Sequence, residues 1–457
     1  MRRRQLLKFS SLVGSGIILS NCTNGTLQIE QTEVQDRGPL KIWWQEGFYP
    51  EETDVLQRLI TEWEEQTDNE VQLEIIPQKD ILNEVESALE TDSLPDILYS
   101  GVADLTIIPR LAWNNQLADL TEVIEPLSDW YSDSVLNGVT YQNQVTGARS
   151  YYAVPIMQSA IHIHYWQSLL NKAALKREDI PEDWEGFWQF WQQTQDILRQ
   201  NGEPTIYGVG MPMSLSLDTY NNFEQFLEAY NVKLLDENGN LLTNQAQTRQ
   251  ELARVIENYA SFFKNEKVPP ESIDWDNTGN NVTVLSRESL MTVNHTLSVP
   301  GSQRDDKAIY YDELSTVKWP NKPDGSPMRY VVELKQVVVF ESSNRQAIAK
   351  DFLAYLAQPE NLAAYTEGAQ GRYLPVMPEL FERPFWTDTS DPHISVAVAQ
   401  LENTRPANQV LHPAYGEVAA QNIWGKVMRQ IAVDGLSPQV AADQAIAEIN
   451  EIFDAWN

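Results

Sequence analysis

Residues 40–50 read LKIWWQEGFYP. Four strand-forming residues, Leu40, Ile42, Trp43 and Trp44, run directly into a polar, turn-forming segment, Gln45-Glu46-Gly47-Phe48-Tyr49-Pro50. A helix is expected to begin near Thr53-Asp54. A buried strand that opens into an aromatic, amide-bearing loop is how open α/β sheets build crevices, at the carboxyl ends of their strands. The loop is therefore expected to wall one side of a ligand cleft, with Trp44, Gln45 and Glu46 facing it. The competing reading packs Trp44 in the core and uses Gln45-Glu46 to cap the next helix.

Downstream the pattern alternates. Val55, Leu56, Leu59, Ile60 and Trp63 share one helical face, Val71–Ile76 alternates as a strand, and Ile81, Leu82, Val85, Ala88 and Leu89 mark a second amphipathic helix. Leu94–Gly101 then reads as a strand broken by glycine. This β-α-β-α-β order argues for a parallel sheet with right-handed crossovers. Tyr151–Tyr165 (YYAVPIMQSAIHIHY) reads as one long strand interrupted by Pro155 and Gln158-Ser159. Helices are expected from Asp183, over Phe223–Tyr230, Leu252–Phe263 and Ala347–Leu356, and after Ser437-Pro438; strands over Ile206–Met213, Leu290–Asn294 and Val331–Phe340.

Composition limits the function. A chain of 457 residues is long enough for two or three domains. With 33 basic and 65 acidic residues, the formal charge of −32 repels nucleic acid and anionic lipid. One cysteine, Cys22, excludes an intramolecular disulfide and a cysteine metal framework. His162 and His164 alternate on a strand with no third ligand nearby, so no metal site is assigned. No cofactor motif is present: there is neither a phosphate loop nor Gly-x-Ser-x-Gly.

The start of the chain is an address. Met1-Arg2-Arg3-Arg4 is a basic region and Phe9–Leu19 a short apolar one, well below the ~20 residues needed to span a bilayer. Leu19-Ser20-Asn21-Cys22 resembles a bacterial lipobox, with Asn21 where a small residue is usual, and implies lipidation at Cys22. Arg3-Arg4-Gln5-Leu6-Leu7-Lys8 resembles a twin-arginine signal; an ordinary Sec signal is the alternative. Residues 1–21 are read as the signal peptide and 22–37 as a flexible tether, which puts the body of the protein on the outer side of the cytoplasmic membrane.

Several motifs then coincide: LPDILYSG (Leu94–Gly101), YYAVPIMQSAIHIHYW (Tyr151–Trp166), PEDWEGFWQF (Pro181–Phe190), SLMTVNHTLSVPG (Ser289–Gly301), AIAKDFLAYLAQPENLAAY (Ala347–Tyr365) and GRYLPV (Gly371–Val376). In this order the chain resembles the extracellular solute-binding component of a carbohydrate-type ABC importer, over essentially its whole mature length. The resemblance implies a type II periplasmic-binding-protein-like α/β fold: two lobes joined by hinge strands, with a ligand cleft between them. Lobe 1 would comprise 38–156 and 332–372, lobe 2 157–331 and 373–457. It further implies a monomer that hands a small neutral sugar, disaccharide-sized and glucosylglycerol- or trehalose-like, to a membrane permease with a cytoplasmic ATPase. A polyol or polyamine on the same fold is the alternative. A lipid-anchored glycoside hydrolase is the enzymatic rival, but no two acids fall in a hydrolase-like motif.

Sugar recognition uses aromatic faces against C–H patches, and amides, carboxylates and guanidinium groups against vicinal hydroxyls. By the resemblance, Ser100 and Gly101 occupy the third-strand loop, Gln158 the first hinge, Tyr220 and Asn221 the loop of the second lobe, and Trp275 with Asp276 a stacking position. Asn294 and His295 stand where Asn-Gly is common. Glu333 is either a hinge ligand or a buried acid with a partner, and Arg372 and Tyr373 open the GRYLPV segment.

Overall fold

The computed structural model describes residues 38–456; the expected export signal, Cys22 and the expected tether fall outside the described residues. In chain order the strands are β1 (Leu40–Gln45), β2 (Val71–Ile76), β3 (Ile97–Tyr99), β4 (Thr140–Gln142), β5 (Arg149–Tyr151), β6 (Val154–Ser159), β7 (His162–Trp166), β8 (Tyr207–Gly210), β9 (Ser289–Asn294), β10 (Leu314–Val317), β11 (Tyr330–Val339) and β12 (Thr404–Pro406).

β1 pairs in parallel with β2 on one side and β3 on the other, as the helix-strand alternation predicts. The sheet continues from β3 to the antiparallel β11, which also pairs β6, and then to β12. A second sheet runs β10-β7-β9-β8. The sheets serve two hydrophobic cores, and the fold is two-lobed. Leu40, Ile42, Trp63 and Val337 lie in the first core; Ile163, Trp191, Val293 and Trp424 lie in the second.

The chain passes between the cores from β6 to β7 and again within β11. The long strand expected over Tyr151–Tyr165 is two strands: β6 pairs with β11 in the first sheet and β7 with β9 in the second, with Ala160-Ile161 between. β11 makes the second crossing: Val332 packs in the second core and Leu334 in the first. Beside them, Gln158 and Leu374 exchange backbone hydrogen bonds of 2.9 and 2.8 Å. β6, β11 and the segment at Leu374 are therefore joined by backbone pairing, with Ser159 opposite Glu333 in the register.

The first helix is Pro50–Thr67, starting before the expected Thr53-Asp54. Proline is favoured in the first turn because it has no N–H to leave unpaired. Glu52 reaches back to accept from the N–H groups of Phe48 and Tyr49 (3.1 and 3.3 Å), completing the start. The loop after β1 is thereby shortened, and Phe48 and Tyr49 are held at the helix mouth. At the other end of the chain, Ser437 caps Pro438–Asp454 by accepting from Val440 N–H, as the Ser-Pro pair predicts. Among the described residues, no helix is long and apolar enough to cross a membrane.

Candidate functional site

Glu333 and Lys335 are two apart on β11, so both side chains stand on one face of an otherwise apolar strand. The Lys335 ammonium bonds Glu333 Oε1, donates to the Gly101 carbonyl at 3.0 Å and lies 3.7 Å from Asp104 Oδ2. Glu333 Oε2 is 3.2 Å from His295 Nδ1, which also meets Ser159 Oγ at 3.1 Å. Asn221 hydrogen-bonds Glu333 from the second lobe's helix Leu217–Ala229. One carboxylate on a crossing strand thus collects partners from both lobes. A Cβ at Gly101 would lie a tight 3.3 Å from Lys335 Nζ and at ordinary contact distance from Gln45 Nε2, which places both side chains against this glycine.

Burial and charge compete at each group. Burial raises the Glu333 carboxyl, but Lys335 and His295 outweigh it and hold the pKa below the ordinary value. Burial would lower the Lys335 pKa, but Glu333, Tyr373 and Asp104 outweigh it and raise it. Burial, reinforced by Lys335 and opposed by Glu333, lowers the His295 pKa to about 4, so the ring is neutral at pH 7 and its 3.2 Å approach to Glu333 is a polar contact between a neutral ring and a carboxylate. Asp104 is pushed well up, chiefly by burial, with Lys335 opposing. Asp218, in the first turn of Leu217–Ala229, is raised to about 7 by burial, Glu333 and Asp276.

A second group adjoins this one through Tyr373. The Arg372 guanidinium lies over the rings of Phe48 and Tyr373, 4.8 Å from each centroid, and its Nε has no hydrogen-bond partner. The Tyr49 hydroxyl is likewise buried without a partner, and burial raises its pKa to about 12. Tyr49 points across to Gly301 of the second lobe, where even a methyl group would overlap its hydroxyl. Phe48 remains half-exposed at the mouth.

The expected residues separate into two sets. Gln45, Gly101, Asn221, His295, Glu333, Arg372 and Tyr373 come together at or beside the crossing. Gln45 is buried and its Oε1 has no partner. Trp44 lies in the first core, its indole N–H spent on the Tyr365 hydroxyl at 2.8 Å. Ser100 is fully buried and its Oγ accepts from Ala103 N–H. Gln158 donates to the Pro375 carbonyl at 2.6 Å and Asn294 to the Thr296 carbonyl at 2.7 Å, so both amides serve the backbone. Tyr220 is in the second core and accepts from Gln409. Glu46 is exposed.

Trp275 and Asp276 stand apart from the crossing. The Trp275 ring covers Gly279, and Asp276 accepts from the Thr278 N–H and hydroxyl, which lower its pKa. Asp276 lines a groove of about 370 Å³, with Thr106 and Ile107 on one wall and Leu215, Ser216 and Leu217 on the other. His162 and His164 are buried: His162 bonds Gln400, and His164 bonds Thr316, which also bonds His393. Among the described residues, no cluster of three metal-ligating side chains occurs.

Sequence reasoning missed Lys335, Asp104, Asp218, Phe48, Tyr49 and Glu52. Lys335 carried a signal, since it stands two residues from Glu333 in the same apolar strand. Asp104 and Asp218 carried none, because nothing in their neighbourhood distinguishes them from surface acids.

Residues 58–395 match the family model of bacterial extracellular solute-binding proteins. No curated protein sequence matches the chain. Among solved structures, it is similar to an ABC transporter solute-binding protein from Thermotoga lettingae TMO bound with α-D-tagatose: 17% identity, 91% of this chain and 99% of that chain, TM-score 0.73. Maltose-bound MalE3 of T. maritima gives 16% identity, 90% and 99% coverage and a TM-score of 0.70. A sugar transporter protein from Arthrobacter chlorophenolicus A6 with bound laminaribiose gives 14%, 91% and 99%, and 0.70. At such identities these structures speak to the fold. The family match covers well over half of the chain, and with a two-lobed α/β body whose polar side chains converge where the lobes meet, the protein belongs to the bacterial extracellular solute-binding proteins.

Proposed function

We propose that this protein is the lipid-anchored binding component of an ABC importer and that its solute is a disaccharide-sized sugar or glycoside. The observation that carries this reading is the convergence on Glu333. Lys335, His295 and Asn221 meet it from two lobes, with Ser159 bonded to His295, beside the unpartnered polar atoms of Gln45, Tyr49 and Arg372. Buried polar atoms without partners are costly, and the hydroxyls of a sugar supply both donors and acceptors for them. Phe48 and Tyr373, bridged by Arg372, offer the apolar faces a sugar ring also needs. Tagatose, maltose and laminaribiose, carried by proteins of similar fold, support the carbohydrate class.

In this mechanism the solute enters an open form and closure brings the second lobe's His295 and Asn221 against it. The moving halves are residues 38–156 with 332–372 and 157–331 with 373–457. Closure is favoured only by the solute's higher affinity for the closed form. A permease with a cytoplasmic ATPase then reads the closed shape, and a lipid on Cys22 keeps the protein at the membrane. No reaction is catalysed.

The experiment is a thermal-shift screen of the purified protein against neutral sugars, glycosyl-polyols, polyols, polyamines and amino acids. A ligand that binds only the folded state raises the melting temperature by mass action. A rise of several degrees with a sugar or glycoside supports the reading. A rise confined to polyamines or amino acids would retain the fold and discard the solute.

A further inference from the structure

We propose that the solute is a glycoside with an apolar aglycone, its sugar lying at Glu333 and its aglycone in the groove between Ile107 of the first lobe and Leu215 and Leu217 of the second. This deepens the reading above and rests on it. The groove holds about 370 Å³, within the roughly 300–1,000 Å³ of small-molecule sites. Both of its walls lead back to the Glu333 cluster. Leu217 lines the groove, and Asn221, one turn further along the helix Leu217–Ala229, hydrogen-bonds Glu333. On the first lobe, Asp104 lies 3.7 Å from Lys335 Nζ, and Thr106 and Ile107 follow it closely in the chain to form the other wall. The helix Ala414–Ala420 completes the enclosure. A Cβ at Gly416 would fall 2.9 Å from the Thr106 carbonyl oxygen, and Ala420, one turn on, lines the groove.

The groove differs in chemistry from the cluster it adjoins. Its polar side chains are largely spent on the protein. The Thr106 hydroxyl donates to the Val102 carbonyl at 3.0 Å, and Ser216 Oγ meets the Ser214 and Thr219 hydroxyls at 3.0 and 3.2 Å. Asn277 Oδ1 accepts from the Asp218 N–H at 3.3 Å, Asp276 accepts from Thr278, and Glu86 pairs with Arg110 at 2.7 Å. The Asn83 and Asn422 amides are the exceptions. A second sugar ring would find few partners for its hydroxyls here. Leu215, by contrast, is 57% exposed, and covering it with an apolar group removes both surfaces from water. Because the walls belong to different lobes, an aglycone that touches both also favours the closed form.

The test is calorimetric titration of the purified protein with methyl, hexyl and phenyl glycosides of glucose, galactose, mannose and maltose, in both anomers. For the sugar that binds, the hexyl or phenyl glycoside is expected to bind at least about tenfold more tightly than the methyl glycoside. Leu215→Asn and Ala420→Gln, both at exposed positions on opposite sides of the groove, should each reduce that preference to about twofold or less. Equal affinity for methyl and hexyl glycosides, or a preference that survives both substitutions, would overturn this proposal alone. So would a concentration-dependent dimer that Leu215→Asn dissolves, since the groove would then belong to a second copy of the chain. If no glycoside or free sugar binds at all, the sugar reading falls with it.

Discussion

His295 Nδ1 and Glu333 Oε2 stand 3.2 Å apart, joining the end of β9 in the second lobe to the strand that crosses between the cores. The contact holds because Lys335 and His295 keep Glu333 ionised against the cost of its burial. The stability of this crossing is therefore concentrated in Lys335. Lys335→Met leaves the buried acids Glu333 and Asp104 without their cation, and breaking a buried pair from one side costs roughly 3–5 kcal/mol. Urea unfolding should show a loss of that order. The double variant Glu333→Gln/Lys335→Met should recover part of it.

Lobe closure has a steric gate at Tyr49 and Gly301. A methyl group at Gly301 overlaps the Tyr49 hydroxyl in the arrangement seen here, so Gly301→Ala is expected to hold the lobes apart. Affinity for the solute should fall by about tenfold or more, with the unliganded melting temperature little changed. Tyr49→Ala in the same chain reopens the space and should restore part of the affinity. Unaltered binding by Gly301→Ala alone would show that the contact yields without opening the lobes.

Three imidazoles of the second lobe are buried: His164 and His393 share the Thr316 hydroxyl, and His162 bonds Gln400. Burial lowers the pKa values of His162 and His393 to about 4 from an ordinary 6.5. Between those values the unfolded chain takes up protons that the folded chain refuses. The stability these neutral rings allow is thus full above pH 6.5 and is lost as pH falls towards 4. Asp218, raised from 3.8 to about 7, acts in the opposite sense and subtracts stability as pH rises through that range. A comparison of variants separates the two. His393→Asn should flatten the pH dependence of unfolding free energy between pH 6.5 and 4 by up to about 1.4 kcal/mol per pH unit, the worth of one proton.

Trp44 supplies a contrast between packing and recognition. Its indole N–H is hydrogen-bonded to Tyr365, and its ring lies 4.7 Å from that of Tyr99. Trp44→Phe should cost about 1–3 kcal/mol in stability, since it strands a buried hydroxyl. Solute affinity, measured by calorimetry on the folded protein, should stay within about twofold of the parent. A large loss of affinity at unchanged stability would return Trp44 to the cleft.

The parallel β1-β2-β3 arrangement, the helices between those strands and the cap at Ser437 were legible because each depends on residues close in sequence. Apolar periodicity decides strand or helix, and Ser-Pro supplies both a cap and a preset first turn. The break of Tyr151–Tyr165 into two strands was not legible. β6 and β7 are buried throughout, so both read as one apolar run, and only their partners β11 and β9 assign them to different sheets.

The sequence by itself determined the class of protein: an α/β chain whose ordered motifs match a solute-binding family and whose charge disfavours nucleic acid. It also exposed Glu333, since an acid in an apolar strand must find a partner or a ligand. Tertiary structure decided which polar residues are spent and which are available. Gln158, Asn294 and Tyr220 were as plausible as Gln45 or His295 until their hydrogen bonds to Pro375, Thr296 and Gln409 were placed. A hydrogen bond or an unpaired charge is a property of two or more groups in space, and residues more than a hundred positions apart leave no local trace of their meeting.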